Sequence, residues 1–369
     1  MNNKNFQIIF DCGFSKVRAG AFNKNDKDEA FYIESEYFTD QSNLELKIQK
    51  IITSFEKDTN EYIDNINLMI DSPKMLSISI SISKKLDGTK LKYTNVQFLV
   101  QEAKQQILKY YTNHIIAHII INNYKIDDID HSYLPNDIKC HFISLDIFFI
   151  CLPTDHVLYL KKIFSKSNIS ISKIICSSYA KSINYKDNLS LTGNMSFIDI
   201  GFNKTSIISF FNERILSLDI LPIGGNHITK DISKILEIDL DRSEQIKLKF
   251  GQDHIISKDE NISVEILEKI IFARTEEILE LCSKSIELNL SLLSQFKMVL
   301  TGDGSKILNN QQNIKIFFPH DIDFLEETLE DICQSGFKFG MGLNIQEVVL
   351  VPKKQIKRGF FEKLFHFFK

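Results

Sequence analysis

The chain has no tryptophan, no CxxC pair, no excess of basic charge and no apolar run long enough to cross a bilayer. Each absence removes a class of function. A formal net charge of −4 over 369 residues argues against nucleic acid as a partner of the chain as a whole. The six cysteines (12, 140, 151, 176, 282 and 333) are dispersed, and none stands at metal-ligand spacing with a His pair. Reduced thiols in a cytosolic compartment are the simple expectation. The nine histidines show no metal spacing either, and no Ser-His-Asp or Cys-His arrangement emerges. The apolar run from Phe6 ends at Asp11, too short for a signal-peptide core. No stretch approaches the roughly 18 apolar residues of a spanning helix. The expectation is a soluble or peripheral protein.

What is present is a globular composition, with 43% hydrophobic and 25% charged residues. The length calls for two or more subdomains. Residues 6–10 and 17–22 read as two strands joined by a Gly-containing turn, with a third strand near 31–37. Helical spacing marks 44–55, 95–110, 155–165 and 264–290, and it resumes near 324–333. Residues 77–83 alternate Ser and Ile and should form a half-exposed strand. With the strands at 117–122 and 140–152, they form a small inserted α+β unit.

One pattern occurs twice. An apolar strand ends in Asp, one residue, then Gly, followed by a return strand, at Asp11-x-Gly13 and again at Asp199-x-Gly201. Such a duplication suggests two packed copies of one unit. Gly224 and Gly225 follow, and a further strand ends in Thr301, Gly302, Asp303 and Gly304. Glycine turns at strand ends permit positive φ and close backbone approach, so they can cradle phosphate oxygens. Ser15 and Thr205 would offer hydroxyls there, and Lys16 a positive charge. Asp11 and Asp199, facing each other across a polyphosphate, would call for a Mg²⁺ held largely through water.

The order of these turns resembles the actin, sugar-kinase and heat-shock chaperone superfamily. The segments at 223–232, 243–251 and 273–278 resemble FtsA in particular, over about residues 6–343 and again at the tail. The resemblance implies a two-lobed α/β actin-like ATPase fold with a small inserted α+β subdomain and a C-terminal amphipathic helix. Its parts would be a first lobe (1–76 and 161–193), the inserted subdomain (77–160), a second lobe (194–225 and 298–350) and the upper part of that lobe (226–297). The resemblance implies ATP, with Mg²⁺, at Asp11, Gly13, Ser15, Lys16, Asp199, Gly201, Thr205, Gly224, Gly225 and Asn226. Glu244 and Lys247 match positions that contact ribose and adenine, and Gly302, Asp303 and Gly304 match the turn lining the adenosine.

The sequence also departs from that pattern. Phe14 stands where FtsA-like chains usually have Thr, and Phe202, Asn203 and Lys204 stand where they have more Gly. Bulky side chains limit backbone approach to phosphate, which points to an altered or weak site. Residues 173–181 carry no acid to position an attacking water, so slow or undetectable ATPase activity is expected.

Residues 353–369 combine two faces. Ile356, Phe360, Phe361, Leu364, Phe365, Phe367 and Phe368 fall on one half of a helical wheel. Arg358, Glu362, Lys363, His366 and Lys369 fall on the other, and Lys357 can snorkel from the apolar half. Six basic residues against Glu362 give this segment +5. That is the pattern of an in-plane membrane helix attracted to anionic lipid. The FtsA resemblance adds further expectations: the FtsZ C-terminal peptide as a partner near Arg274, self-association into actin-like filaments, recruitment of later division proteins, and location on the cytoplasmic face of the inner membrane at the division site. The rival readings are a related scaffold, such as a type IV pilus assembly protein, and a small-molecule kinase of the superfamily.

Overall fold

The computed structural model describes residues 5–26, 28–38, 43–135, 138–253, 262–290, 296–308, 318 and 322–342. The expected membrane helix at 353–369 lies outside the described residues. Among the described residues the strands form three sheets. The first contains β1 (Phe6–Cys12), β2 (Val17–Asn23), β3 (Ala30–Glu34), β4 (Asn65–Ile70) and β9 (Ser170–Cys176) in the order β3-β2-β1-β4-β9. The second contains β10 (Met195–Ile200), β11 (Thr205–Phe211), β12 (Arg214–Leu221), β13 (Lys297–Thr301) and β14 (Ile322–Phe324) in the order β12-β11-β10-β13-β14. In both sheets two antiparallel hairpin pairings are followed by two parallel ones. The duplication read from two turns therefore extends to two whole sheets.

Parallel neighbours need a crossover, and helices supply it. Helix α1 (Leu44–Thr59) connects β3 to β4 and buries Leu44, Ile48, Ile51, Ile52 and Phe55, the spacing of one helical face. Helix α3 (Thr154–Lys166) leads into β9, and α4 (Ser177–Asn188) leaves it. Helices α5 (Gly225–Leu236), α6 (Leu240–Asp253) and α7 (Val264–Leu290) lie between β12 and β13. Strand alternation divides the second sheet between two cores. Met195, Phe197 and Val299 join the core of the first sheet. Ile198, Ile200, Met298 and Leu300 join the core under α5 to α7.

The third sheet holds β5 (Leu76–Lys90), β6 (His114–Ile126), β7 (Ile129–His131) and β8 (Lys139–Pro153) in the order β5-β8-β6-β7. Helix α2 (Tyr93–Tyr110) covers it with Val96, Leu99, Val100, Ala103 and Ile107, which share a separate core with Ile143, Leu145 and Phe149. β5 outruns the expected strand because β8 keeps pairing with it, past an irregularity, as far as Lys90.

The helix expected near 324–333 begins later. Phe324 pairs with Leu300 as part of β14. Helix α8 (Leu329–Gly340) starts behind Thr328, whose hydroxyl accepts the Asp331 N–H in a reciprocal cap. α8 follows the second sheet in sequence but packs on α4, β1 and β2. The residues just before it are thereby carried into the space between the sheets.

Candidate functional site

The two duplicated turns close in the same way. Gly13 N–H donates to the Lys16 carbonyl at 3.0 Å, and Gly201 N–H to the Lys204 carbonyl at 2.9 Å. Asp11 thus corresponds to Asp199, Phe14 to Phe202 and Lys16 to Lys204. Between the turns lies a cavity of about 580 Å³. It is lined by Asp11, Gly13, Ser15, Lys16, Asp199, Gly201, Gly225, Glu244, Lys247, Gly302, Asp303 and Gly304. Residues from five separate stretches of sequence therefore meet at one place.

Thr205, Gly224 and Asn226 are not among the residues that line the cavity. Thr205 is fully buried and its hydroxyl donates to the Ile223 carbonyl at 2.8 Å. A Cβ on Gly224 would meet the Gly201 carbonyl oxygen at 2.4 Å. The Asn226 side-chain amide donates to Asn203 at 2.8 Å. These residues seat the start of α5 on the second turn. The N–H groups of Gly225 and Asn226 donate to the carbonyls of Gly201 and Phe202. With Gly13 and Gly201 also bonded within their turns, these four amides are hydrogen-bonded within the protein. Gly302 has a positive φ of 88°, and a Cβ there would meet Asp199 Oδ1 at 2.4 Å.

At the Glu244 end, Lys247 Nζ donates to Glu244 at 2.7 Å, to Thr229 Oγ1 at 2.9 Å and to the Gly225 carbonyl at 3.0 Å. Burial outweighs the Glu244 charge and lowers the Lys247 ammonium below the ordinary lysine range. Tyr37 and Phe202 meet edge to face across the cleft, with ring centroids 5.7 Å apart.

The turn end is a network of buried charges that the sequence reading largely missed. Lys181 on α4 places Nζ 2.8 Å from Asp199 and 2.8 Å from Glu327. Lys204 places Nζ 2.9 Å from Asp71 and donates to Ser206. Arg18 reaches Glu34 at 2.9 Å, Asp11 at 3.8 Å and also Asp303. The Ser177 hydroxyl donates to Asp11 at 2.6 Å. Burial opposes the Asp199 charge, yet Lys181 and Lys204 prevail and hold its carboxyl below the ordinary range. For Asp11 burial prevails over Arg18 and raises the carboxyl. Burial likewise raises Glu327, whose other partner is the Tyr185 hydroxyl at 2.9 Å.

Both carboxylates expected to face Mg²⁺ already have protein counter-charges. Among the described residues no group of three or more His, Cys, Asp or Glu side chains could hold a metal ion. Asp199 is in contact with an ammonium group, and Asp11 lies beside a guanidinium. A dication 4 Å from an ammonium would be repelled by roughly 8 kcal/mol at an effective dielectric of about 20, twice the value for unit charges, which works against its attraction to the carboxylates.

Arg274 on α7 is outside the cavity lining. Its guanidinium pairs with Asp231 through Nε at 2.6 Å and Nη2 at 3.1 Å, and also with Glu277.

Two duplicated sheets flanking a polar cleft, with a third sheet inserted in the first half, define the actin-like ATPase fold. A chain of the PilM–PilN type IV pilus biogenesis complex superposes with a TM-score of 0.64 over 91% of this chain and 96% of that one, at 12% identity. Within that fold, residues 196–309 match the family model of the cell division protein FtsA. The FtsA of Agrobacterium fabrum is 20% identical over 294 residues, covering 74% of this chain. The match spans 66% of that relative's length, just under two thirds. The FtsA of Buchnera aphidicola is 22% identical over 351 residues, covering 83% of this chain and 82% of that protein.

Proposed function

We propose that the protein is a nucleotide-binding, actin-like scaffold of bacterial cell division that attaches FtsZ filaments to the inner membrane. The observation that carries the reading is the meeting of both Asp-x-Gly turns and the Gly302–Gly304 turn around one cavity, in a chain with an FtsA-matching segment. The ligand is an adenine nucleotide, ATP by preference, with Glu244 and Lys247 toward the base and ribose. Turnover is slow or absent. Residues 173–181 bring a lysine and no acid to the cleft. Glu327, one of the acids that line the cleft, is tied to Lys181 and Tyr185.

Residues 353–369 would lie in the membrane plane, their Phe-rich face in the acyl boundary and their basic face on anionic headgroups. Each basic residue near such a surface contributes about 1 kcal/mol. Self-association and the recruitment of later division proteins belong to the same reading. An acidic FtsZ peptide that engages Arg274 must displace Asp231 or Glu277.

The test is co-sedimentation with anionic liposomes, comparing the full chain with residues 1–352, with and without nucleotide and an FtsZ C-terminal peptide. Only the full chain should pellet, and it should carry the peptide with it. If both forms stay in the supernatant, the membrane-anchor role is wrong. The fold shared with the PilM–PilN complex then makes a pilus-type scaffold the better reading.

A further inference from the structure

Where the two Asp-x-Gly turns call for a divalent cation, this chain brings two ammonium groups. Lys181 comes from α4, behind the first sheet, and Lys204 from the turn between β10 and β11 of the second. Each crosses to the other half. Lys181 reaches Asp199 of β10 at 2.8 Å, and Lys204 reaches Asp71, just past β4, at 2.9 Å. Both lysines line the cavity, and their side chains are only 10% and 7% exposed.

A lysine ammonium has three N–H donors. Lys181 directs two at Asp199 and Glu327, and Lys204 directs two at Asp71 and Ser206. One donor on each remains for an anionic oxygen in the cavity. The protein also supplies most of the counter-charge, three cations against four carboxylates. The carboxylates of Asp11, Asp71, Asp199 and Glu327 are met by Arg18, Lys181 and Lys204. Three of the four carboxylate charges that would repel a phosphate chain are thus offset within the protein.

The comparison between the two turns sharpens the point. Lys16 holds the position equivalent to Lys204, but it pairs with Glu34, whose side chain is 33% exposed. Lys204 has turned inward onto a buried acid.

We propose that Lys181 and Lys204 together replace the divalent cation at this site, so that a nucleotide's phosphate chain is bound by protein ammonium groups without metal. The inference rests on the nucleotide-binding reading above and specifies the chemistry of the same cleft.

The experiment is a fluorescence titration of the full chain with a fluorescent ATP analogue, once in excess Mg²⁺ and once in EDTA. The two dissociation constants should agree within about threefold, under 1 kcal/mol. In Lys204→Gln, Asp71 loses its counter-charge, and Mg²⁺ should then tighten binding by about tenfold or more. In Lys204→Gln with Asp71→Asn the bare acid is gone, and the Mg²⁺ effect should disappear again. Electron paramagnetic resonance of Mn²⁺ added without nucleotide gives an independent reading: no tight Mn²⁺ on the unaltered chain, tight Mn²⁺ on Lys204→Gln.

The unaltered chain decides the matter without any variant having to fold. Binding that requires Mg²⁺ by about tenfold or more overturns metal replacement and leaves the nucleotide reading standing. No binding under either condition overturns both. Metal-independent binding that Lys204→Gln leaves metal-independent overturns the role given to that lysine.

Discussion

Asp199 is the residue on which the cleft turns. It bonds Lys181, faces Lys204 and sits under the Cα of Gly302. Removing one member of a buried ion pair leaves the other uncompensated. Asp199→Asn should therefore cost about 3 kcal/mol, at the low end for such a loss because Lys181 keeps Glu327. The pH dependence follows from the direction of the shift. The folded carboxyl lies below its ordinary value of 3.8, so the stability it contributes is complete above pH 3.8 and disappears as pH falls through the lower folded value. Thermal melts should show the gap between the parent and Asp199→Asn constant near neutrality and narrowing below pH 3.8. A gap that stays constant into that acid range would refute the assignment. Gly302→Ala is a second test at this scale. The new methyl would need a φ of 88° and the space that Asp199 Oδ1 holds at 2.4 Å. A loss of about 3 kcal/mol in urea unfolding is expected, strain and displacement together. Asp199 and Gly302 were legible in the sequence because each ends a strand in a motif. Lys181, Lys204 and Glu327 were not. Lys181 and Glu327 read locally as ordinary helix and loop residues, and the packing of α4 and α8 brings them to the cleft; Lys204 stands in the flagged turn, but its reach to Asp71 is a contact distant in the chain.

At the scale of elements, legibility followed locality. The alternating Ser-Ile strand, the helical faces of α1 and α2 and the paired hairpins depend on side-chain periods of two or 3.6 residues, which neighbours in sequence display. The start of α8 depends on β14 pairing with β13, a contact distant in the chain, and the sequence reading placed it too early. The third sheet shows what a separate core implies. Its buried residues form a cluster of their own under α2. Leu99 is fully buried there. Leu99→Ala should remove about 3 kcal/mol from that cluster. Because such clusters open as local units, the loss should appear as faster amide exchange across residues 76–153, with β10 and β13 nearly unchanged. Equal acceleration in all three sheets would show instead that the chain opens as one unit.

Across the whole molecule, the halves are held together by charged contacts that need no ligand. Arg18 of β2 reaches Asp303, Lys181 reaches Asp199, and Lys204 reaches Asp71. Tyr37, beyond β3, packs edge to face on Phe202. Each charged crossing joins the half containing the first sheet to the half containing the second, and most of the atoms involved are shielded from solvent. Shielded pairs are screened by salt far less than surface pairs, whose attraction fades beyond a Debye length of about 3 Å at 1 M salt. The ligand-free cleft should therefore be closed already, and it should stay closed in concentrated salt. Small-angle X-ray scattering on the full chain can test this directly. The radius of gyration should be the same with and without the ATP analogue, and the same at low ionic strength and in 1 M NaCl. A ligand-dependent contraction would mean that nucleotide drives closure, as in hinge-bending proteins. Expansion in salt alone would mean that solvent reaches the Lys181 and Lys204 crossings, and the account of these lysines as buried stand-ins for a cation would fail with it.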